Sequence, residues 1–284
     1  MSAGNARVNQ YGDTVFPEGH KLDLPNRGKT WVHDIPGPSA NAPTVVLLHG
    51  LGATGLLNWF PSFDALARTH RVVAMDHRGH GRGITPRIRF RLEDCADDVA
   101  AVVEQLELGP SVIAGYSMGG PITQLTWKRH PEVVRGVVLC ATTCRFGMDD
   151  VRIAAVGEAI GLGLRFTPRL VRKQMLRGAI NFNPQNRPRP EWVVDELNRH
   201  DPAAIVEATM AIRRFDSTKW ITGIDVPTAS VVTLYDRLVP PSRQRKLAEL
   251  AKAKVFDVRG GHDVCVMRPE RFVPQLVDAV RAVS

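Results

Sequence analysis

Aromatic residues are scarce in this chain, 6% of 284, and long apolar runs are missing. No stretch approaches the roughly 18 consecutive apolar residues that a membrane-crossing helix needs. The first residues, MSAGNARVNQYGDTVFPEGHK, hold no continuous apolar segment, so no signal peptide is expected and a cytoplasmic setting is. Cysteine is sparse as well. Cys95, Cys140, Cys144 and Cys265 do not suggest a disulfide framework in a chain of this length. Cys140 and Cys144 are close in sequence, but no second Cys/His pair at metal-ligand spacing accompanies them, so no metal site is expected and the four read as reduced packing thiols. The net charge of +8 raises nucleic acid as a partner. Few aromatics and the lack of any DNA- or RNA-binding motif argue against it.

The remaining composition, 44% hydrophobic and 23% charged, is that of an ordinary globular protein. A chain this long buries roughly three-quarters of its unfolded surface and needs no staples. Short β-branched runs read as buried strands: Thr44 to His49, Arg71 to Asp76, Ser111 to Tyr116, Arg135 to Ala141, Thr228 to Leu234 and Lys254 to Val258. Runs apolar on both faces suit a parallel sheet covered by helices. Between them lie helical patterns at Leu92 to Leu106, Met118 to His130 and Pro269 to Val283. The first places Val99, Val102, Val103 and Leu106 on one face and its acids on the other. Alternating strands and helices predict an α/β, doubly wound, mostly parallel sheet. Runs at Lys21 to Leu24 and Thr30 to Ile35 read as antiparallel additions at its edge. The alternation stops between Arg145 and Trp220, where helical fragments and five prolines appear, and then resumes. Residues 1–144 and 221–284 therefore read as one core, with 145–220 inserted between two strands, where it could cover the ligand-binding carboxyl edge of the sheet.

Gly115-Tyr116-Ser117-Met118-Gly119 has the form G-x-S-x-G directly after a strand and before a helix, a turn so sharp that side chains at either glycine would collide with a neighbouring element. Such a turn presents Ser117 as a nucleophile. A serine hydroxyl is weak until a base takes its proton. Of nine histidines, His262 in Gly260-Gly261-His262-Asp263 follows the last strand and can swing over Ser117. His130 closes a helix before Pro131, His77 and His80 lie in a basic loop, and His49 ends a strand and shapes the glycine turn that follows. An acid must hold the imidazole's tautomer. Asp236, after the penultimate strand, fits; Asp263 is too close to His262, and Asp257 lies inside a strand. Two backbone donors for an oxyanion are expected from Met118 and from Leu51 in His49-Gly50-Leu51-Gly52.

The same turn imitates a dinucleotide site. Gly50-Leu51-Gly52-Ala53-Thr54-Gly55 matches G-x-G-x-x-G after a strand, and Asp76 ends the next one. Asp76 stands 26 residues beyond Gly50 rather than the usual ~20, and this reading would leave Ser117, Asp236 and His262 as coincidences.

The segments LLHGLGATG (47–55), MDHRGHGRG (75–83), GYSMGG (115–120), VVTLYDRLVP (231–240) and GGHDVCVMRPERF (260–272), in this order, resemble the α/β-hydrolase superfamily from about Lys21 to the C-terminus. Gly83, where relatives often carry serine, and Tyr235, where glycine is common, depart from its pattern. The resemblance implies the α/β-hydrolase fold, the chain order Ser117, Asp236, His262 of that fold's triad, a serine esterase or lipase-like activity, and no cofactor. Serine argues against the dehalogenases, epoxide hydrolases and dienelactone hydrolases of the superfamily, which use aspartate or cysteine. It also implies that 145–220 is a helical cap. Within it, residues 163–189 carry Arg165, Arg169, Arg172, Lys173, Arg177, Arg187 and Arg189 and no acid, interleaved with apolar residues. A cap helix with a solvated basic face accounts for this; contact with an anionic lipid surface or attraction of an anionic substrate is the alternative. Trp59, Phe146, Met148 and Trp220 are candidates for an acyl pocket. The expected reaction is hydrolysis of a small-molecule carboxylic ester with a hydrophobic acyl group. Carbon–carbon bond hydrolysis or enol-lactone opening with the same triad, lyase chemistry, and a non-catalytic binding role on the same scaffold stay open.

Overall fold

The computed structural model describes residues 7–8, 14–86, 89–147, 167–168, 170–171, 174 and 191–284. Met148 and nearly all of the basic segment 163–189 lie outside the described residues. Strands β1 (Arg7–Val8) and β2 (Thr14–Val15) pair with each other, and β3 (Gly19–Leu24) and β4 (Gly28–Ile35) form an antiparallel hairpin. Then follow β5 (Thr44–Leu48), α1 (Gly55–Trp59), α2 (Phe63–Ala67), β6 (Arg71–Met75), α3 (Leu92–Gln105), β7 (Ser111–Tyr116), α4 (Gly119–Arg129) and β8 (Val134–Cys140). Two further helices, α5 (Glu191–Leu197) and α6 (Pro202–Arg214), precede β9 (Thr228–Thr233), α7 (Pro241–Leu250), β10 (Lys254–Val258), α8 (Val264–Met267) and α9 (Pro269–Arg281). Eight strands make one sheet in the order β10-β9-β8-β7-β5-β6-β4-β3, parallel from β10 to β6 and antiparallel at the two pairings β6–β4 and β4–β3.

The strands are legible because both faces are covered. Val46, Leu48, Val73, Ile113 and Leu139 point into a core shared with α3 and α4; Val45, Leu47, Val72, Val112 and Val138 point into another shared with α1, α2 and α9. Each such side chain contributes roughly 1.5–3 kcal/mol by leaving water, so a continuous apolar run, without alternation, is what a central strand requires. The sequence runs overshoot at His49 and Asp76. The β5–β6 pairing ends one residue earlier in each, at Leu48 and Met75, although the Asp76 N–H still donates to the Trp31 carbonyl of β4 at 2.9 Å. The acids of α3 are not all on its outer face either: Asp98 is buried, held by Arg27 Nε at 2.6 Å and Arg78 Nη2 at 2.7 Å. The ion pairs, not amphipathicity, decide that position.

Between β8 and β9 the described residues hold no strand beyond an isolated bridge from Arg145 to Asp216, reinforced by Ser217 N–H donating to the Cys144 carbonyl at 2.9 Å. The excursion from the sheet leaves and returns there. Pro202 starts α6 rather than breaking it, with the Asp201 carboxylate capping the Ala203 N–H at 2.9 Å. No helix among the described residues is long and apolar enough to cross a membrane.

Candidate active site

β7 ends at Tyr116 and α4 begins at Gly119, leaving two residues to reverse direction. Ser117 takes the left-handed conformation, φ +52°, which costs a non-glycine residue of order 1 kcal/mol. A Cβ on Gly115 would overlap the Gly119 carbonyl, and one on Gly119 would overlap the Leu48 carbonyl of β5. The Ser117 N–H donates to the Cys140 carbonyl at 2.9 Å, and its carbonyl accepts the Thr142 hydroxyl at 2.8 Å.

Ser117, His262 and Asp236, 145 and 26 residues apart along the chain, meet at the carboxyl ends of β7, β9 and β10. His262 Nε2 lies 2.9 Å from Ser117 Oγ, and its Nδ1 lies 2.7 Å from Asp236 Oδ2. Asp236 is buried. Oδ1 accepts the Leu238 and Val239 N–H groups at 2.9 Å each, and Oδ2 also accepts the Thr233 hydroxyl at 2.9 Å. Burial pushes this carboxyl's pKa up, but the bond from His262 and those from Val239 and Thr233 outweigh it and hold it below the usual carboxylate value. It therefore faces the imidazole as an anion. The Tyr116 hydroxyl donates to the His262 carbonyl at 2.8 Å, anchoring the loop that carries the imidazole. Asp263 is exposed and Asp257 pairs with Arg245 at 2.9 Å, so neither competes for His262.

Sequence reasoning missed several supports. Gln244, on α7, donates through Nε2 to Thr233 Oγ1 at 2.7 Å and to the Val239 carbonyl, closing the Asp236 turn. Asn58, on α1, accepts the Gly50 N–H at 3.0 Å. Asn58 stands among apolar neighbours, Leu56, Leu57, Trp59 and Phe60, and that is the trace it leaves in the sequence; Gln244, between Arg243 and Arg245, leaves none.

The acyl-pocket candidates separate. Trp59 is wholly buried in the core, its ring centroid 6.0 Å from Tyr116 and 6.3 Å from Phe272, so it is a packing residue under the site rather than a wall of it. Trp220 stacks on Trp127 and meets Phe215 edge-on. Trp127 lies near the end of α4, roughly 12 Å along the helix from its start beside Ser117, which removes Trp220 from the site. Apolar size, the signal that suggested both, is equally the signature of core packing. Phe146 is half-buried just beyond β8, its carbonyl held by Arg243 at 2.7 Å.

His77 and His80 do lie in the basic loop after β6, but they do not face water. They are buried with His49, ring centroids 4.3 and 5.2 Å from it, and His200 lies 5.5 Å from His80. No three His, Cys, Asp or Glu side chains among the described residues are arranged to hold a metal ion. Beside them Asp76 is buried, and each carboxylate oxygen accepts a backbone N–H, from Gly55 and from Arg82 at 2.8 Å each, so it braces this turn rather than facing a ribose, which argues against the dinucleotide reading. Glu196 of α5 reaches the same turn, accepting the Thr54 hydroxyl and pairing with Arg82, each at 2.9 Å, and ties the insertion to the sheet's carboxyl edge.

Burial lowers all four imidazoles from 6.5, His77 to about 3 and His200 to about 4. The unfolded chain thus binds these protons first. Their share of stability is complete above pH 6.5 and is lost as pH falls toward the folded values. Asp76 works in the opposite sense: burial raises it from 3.8 to about 6, so its contribution is complete below 3.8 and gone above 6. Four imidazoles outweigh one carboxyl. Urea unfolding should show stability falling between pH 6.5 and 4.5, by about 1.4 kcal/mol per pH unit for each imidazole that stays neutral; a flat profile would contradict the buried cluster.

Fold and site together define a hydrolase of the α/β kind. A family model described as alpha/beta hydrolase fold matches residues 43–157. The chain is 27% identical over 269 residues to a putative carbamate hydrolase, RutD, of Rhizobium rhizogenes, covering 89% of this chain and 97% of that protein. It is 30% identical over 204 residues to the pimeloyl-[acyl-carrier protein] methyl ester esterase of Neisseria meningitidis serogroup B, covering 69% and 76%. Among solved structures, a hydrolase from Pseudomonas aeruginosa PA01 superposes with a TM-score of 0.77 at 21% identity, over 92% of this chain and 98% of that one. The enol-lactonase from Burkholderia xenovorans LB400 superposes at 0.73 and 24%, over 92% and 100%. The chain belongs to the α/β-hydrolase family.

Proposed function

We propose that the protein hydrolyses a carboxylic ester through an acyl-enzyme. The observation that carries this reading is the continuous chain Ser117 Oγ, His262 Nε2, His262 Nδ1, Asp236 Oδ2, with bonds of 2.9 and 2.7 Å. His262 takes the Ser117 proton as Oγ attacks the carbonyl carbon, Asp236 stabilises the imidazolium, and His262 returns the proton to the departing alcohol. Water then attacks the acyl-enzyme by the same route and releases the acid. The Leu51 and Met118 amides receive the oxyanion. Neither N–H is engaged by another group among the described residues, and Gly50 lies against Ser117, where an added Cβ would stand 3.3 Å from the serine's own. Residues 145–220 act as a cap over this edge, with Glu196 as its fastening, and the half-exposed Leu51 and Phe146 border the acyl group.

Ester hydrolysis is favoured because the Neisseria relative is named a methyl ester esterase. Hydrolysis of a carbamate, the activity in the Rhizobium relative's name, likewise requires attack on a carbonyl carbon. Turnover of p-nitrophenyl esters of increasing acyl length, run against a vinylogous diketone and an enol-lactone, tests the reading. Ester turnover at least tenfold above the other two supports it; preferential carbon–carbon cleavage or lactone opening replaces it with the corresponding hydrolase on the same triad.

A further inference from the structure

An oxyanion donor is useful only if its peptide plane is preset, because a plane that must rotate during the reaction pays that cost in the barrier. The Leu51 N–H and the Gly50 C=O belong to one planar trans peptide and point in opposite directions. Whatever holds the Gly50 carbonyl therefore aims the Leu51 N–H.

Two groups hold that carbonyl: the Ala53 N–H, which closes the turn at 3.2 Å, and the shorter bond from the His49 imidazole. Its Nδ1 lies 2.8 Å from Gly50 O, and its Nε2 lies 3.0 Å from the His77 backbone N. A backbone N–H can only donate, so Nε2 carries the lone pair and Nδ1 carries the proton, directed at Gly50 O. Wholly buried, the imidazole has no water to exchange with. The preceding peptide is held as firmly. The Gly50 N–H donates to Asn58 Oδ1 at 3.0 Å, and Asn58 Nδ2 then faces Cys265 Sγ at 3.8 Å, three residues beyond His262. Asn58 is also buried. Both peptides flanking Gly50 are thus clamped from the core side, one by an imidazole and one by a carboxamide. The second clamp reaches the loop that carries the base.

We infer that His49 and Asn58 are positioning residues that together preset the Leu51 amide as an oxyanion donor. Neither touches the reacting atoms. The inference rests on the acyl-enzyme reading for its kinetic consequence, but not for its structural one.

The test uses His49→Ala, Asn58→Ala, the double variant and the conservative His49→Asn, whose amide N–H can replace Nδ1–H. With a p-nitrophenyl ester, each alanine variant is expected to lower kcat about 10- to 100-fold with KM within twofold. The double variant should lose less than the product of the singles, because both act on one peptide pair. His49→Asn should recover at least a third of the lost log kcat, which a general loss of folding would not allow. Exchange of the Gly50 amide, the one bonded to Asn58 Oδ1, followed in the same proteins without substrate, should quicken at least tenfold in both alanine variants. Alanine variants that keep kcat within twofold, losses that multiply independently, or unchanged exchange at Gly50 would each overturn the clamp. A parent protein that turns over no ester would overturn the acyl-enzyme reading instead, with the exchange measurement then deciding the clamp alone.

Discussion

Ser117→Ala is expected to lower kcat/KM for ester hydrolysis by at least about a thousandfold while leaving the unfolding midpoint unchanged. The two halves of this expectation have separate causes. The hydroxyl is the only group of Ser117 directed at His262, and its loss removes the atom that forms the acyl bond. What fixes the turn is backbone: the Ser117 N–H to Cys140 O and the Thr142 hydroxyl to Ser117 O, both kept by alanine. The positive φ is no more costly for alanine than for serine. Residual catalysis from the preset donors and from binding would survive in the variant. Steady-state kinetics and thermal unfolding read the two halves, and a mass-spectrometric search for a fluorophosphonate adduct locates the labelled residue. A variant as active as the parent, or a parent labelled elsewhere than Ser117, would end the nucleophile assignment.

Asp236→Asn is expected to cost about 10⁴-fold in kcat, more than its size suggests. The Leu238 and Val239 N–H groups can only donate, so the carboxamide oxygen must take the place of Oδ1. Its NH₂ is then forced to the Oδ2 position, opposite His262 Nδ1 and against the Thr233 hydroxyl. A donor there requires Nδ1 to carry the lone pair, which moves the imidazole proton to Nε2. His262 would then present Ser117 with an N–H instead of a base. The pH–rate profile separates this from simple misfolding: the folded variant should regain part of its rate at high pH, where the serine needs less help. A loss below tenfold with the fold intact would remove Asp236 from the triad.

The α/β-hydrolase relatives explain why so much was readable. Each legible signal was local: the runs that became β5, β7 and β9 are apolar on both faces because both faces are buried, and G-x-S-x-G packs its constraint into five residues. His262 and Asp236 were found because each directly follows a strand of a parallel sheet, and such sheets gather their functional loops at one edge.

The errors share a cause too. Trp59 and Trp220 were read by size, and size does not say which side of an element a residue faces. His77 and His80 were read by their charged neighbours, yet the packing of His49 and the turn that ends at Gly83 takes both out of water. Asp98 was read by helical periodicity, which cannot see Arg27 arriving from 71 residues away.

By itself, then, the sequence determined the strand–helix alternation and the sharp G-x-S-x-G turn, and it singled out Ser117, Asp236 and His262, which the fold brings together, because these follow from burial on two faces and from the chemistry a serine needs. Only the tertiary structure decided which groups hold those residues in place. The contacts of Asn58 with Gly50, Gln244 with the Asp236 turn, and Glu196 with Thr54 join segments 8, 11 and 142 residues apart in polar pairs, and a polar pair formed by folding carries no periodicity to betray it.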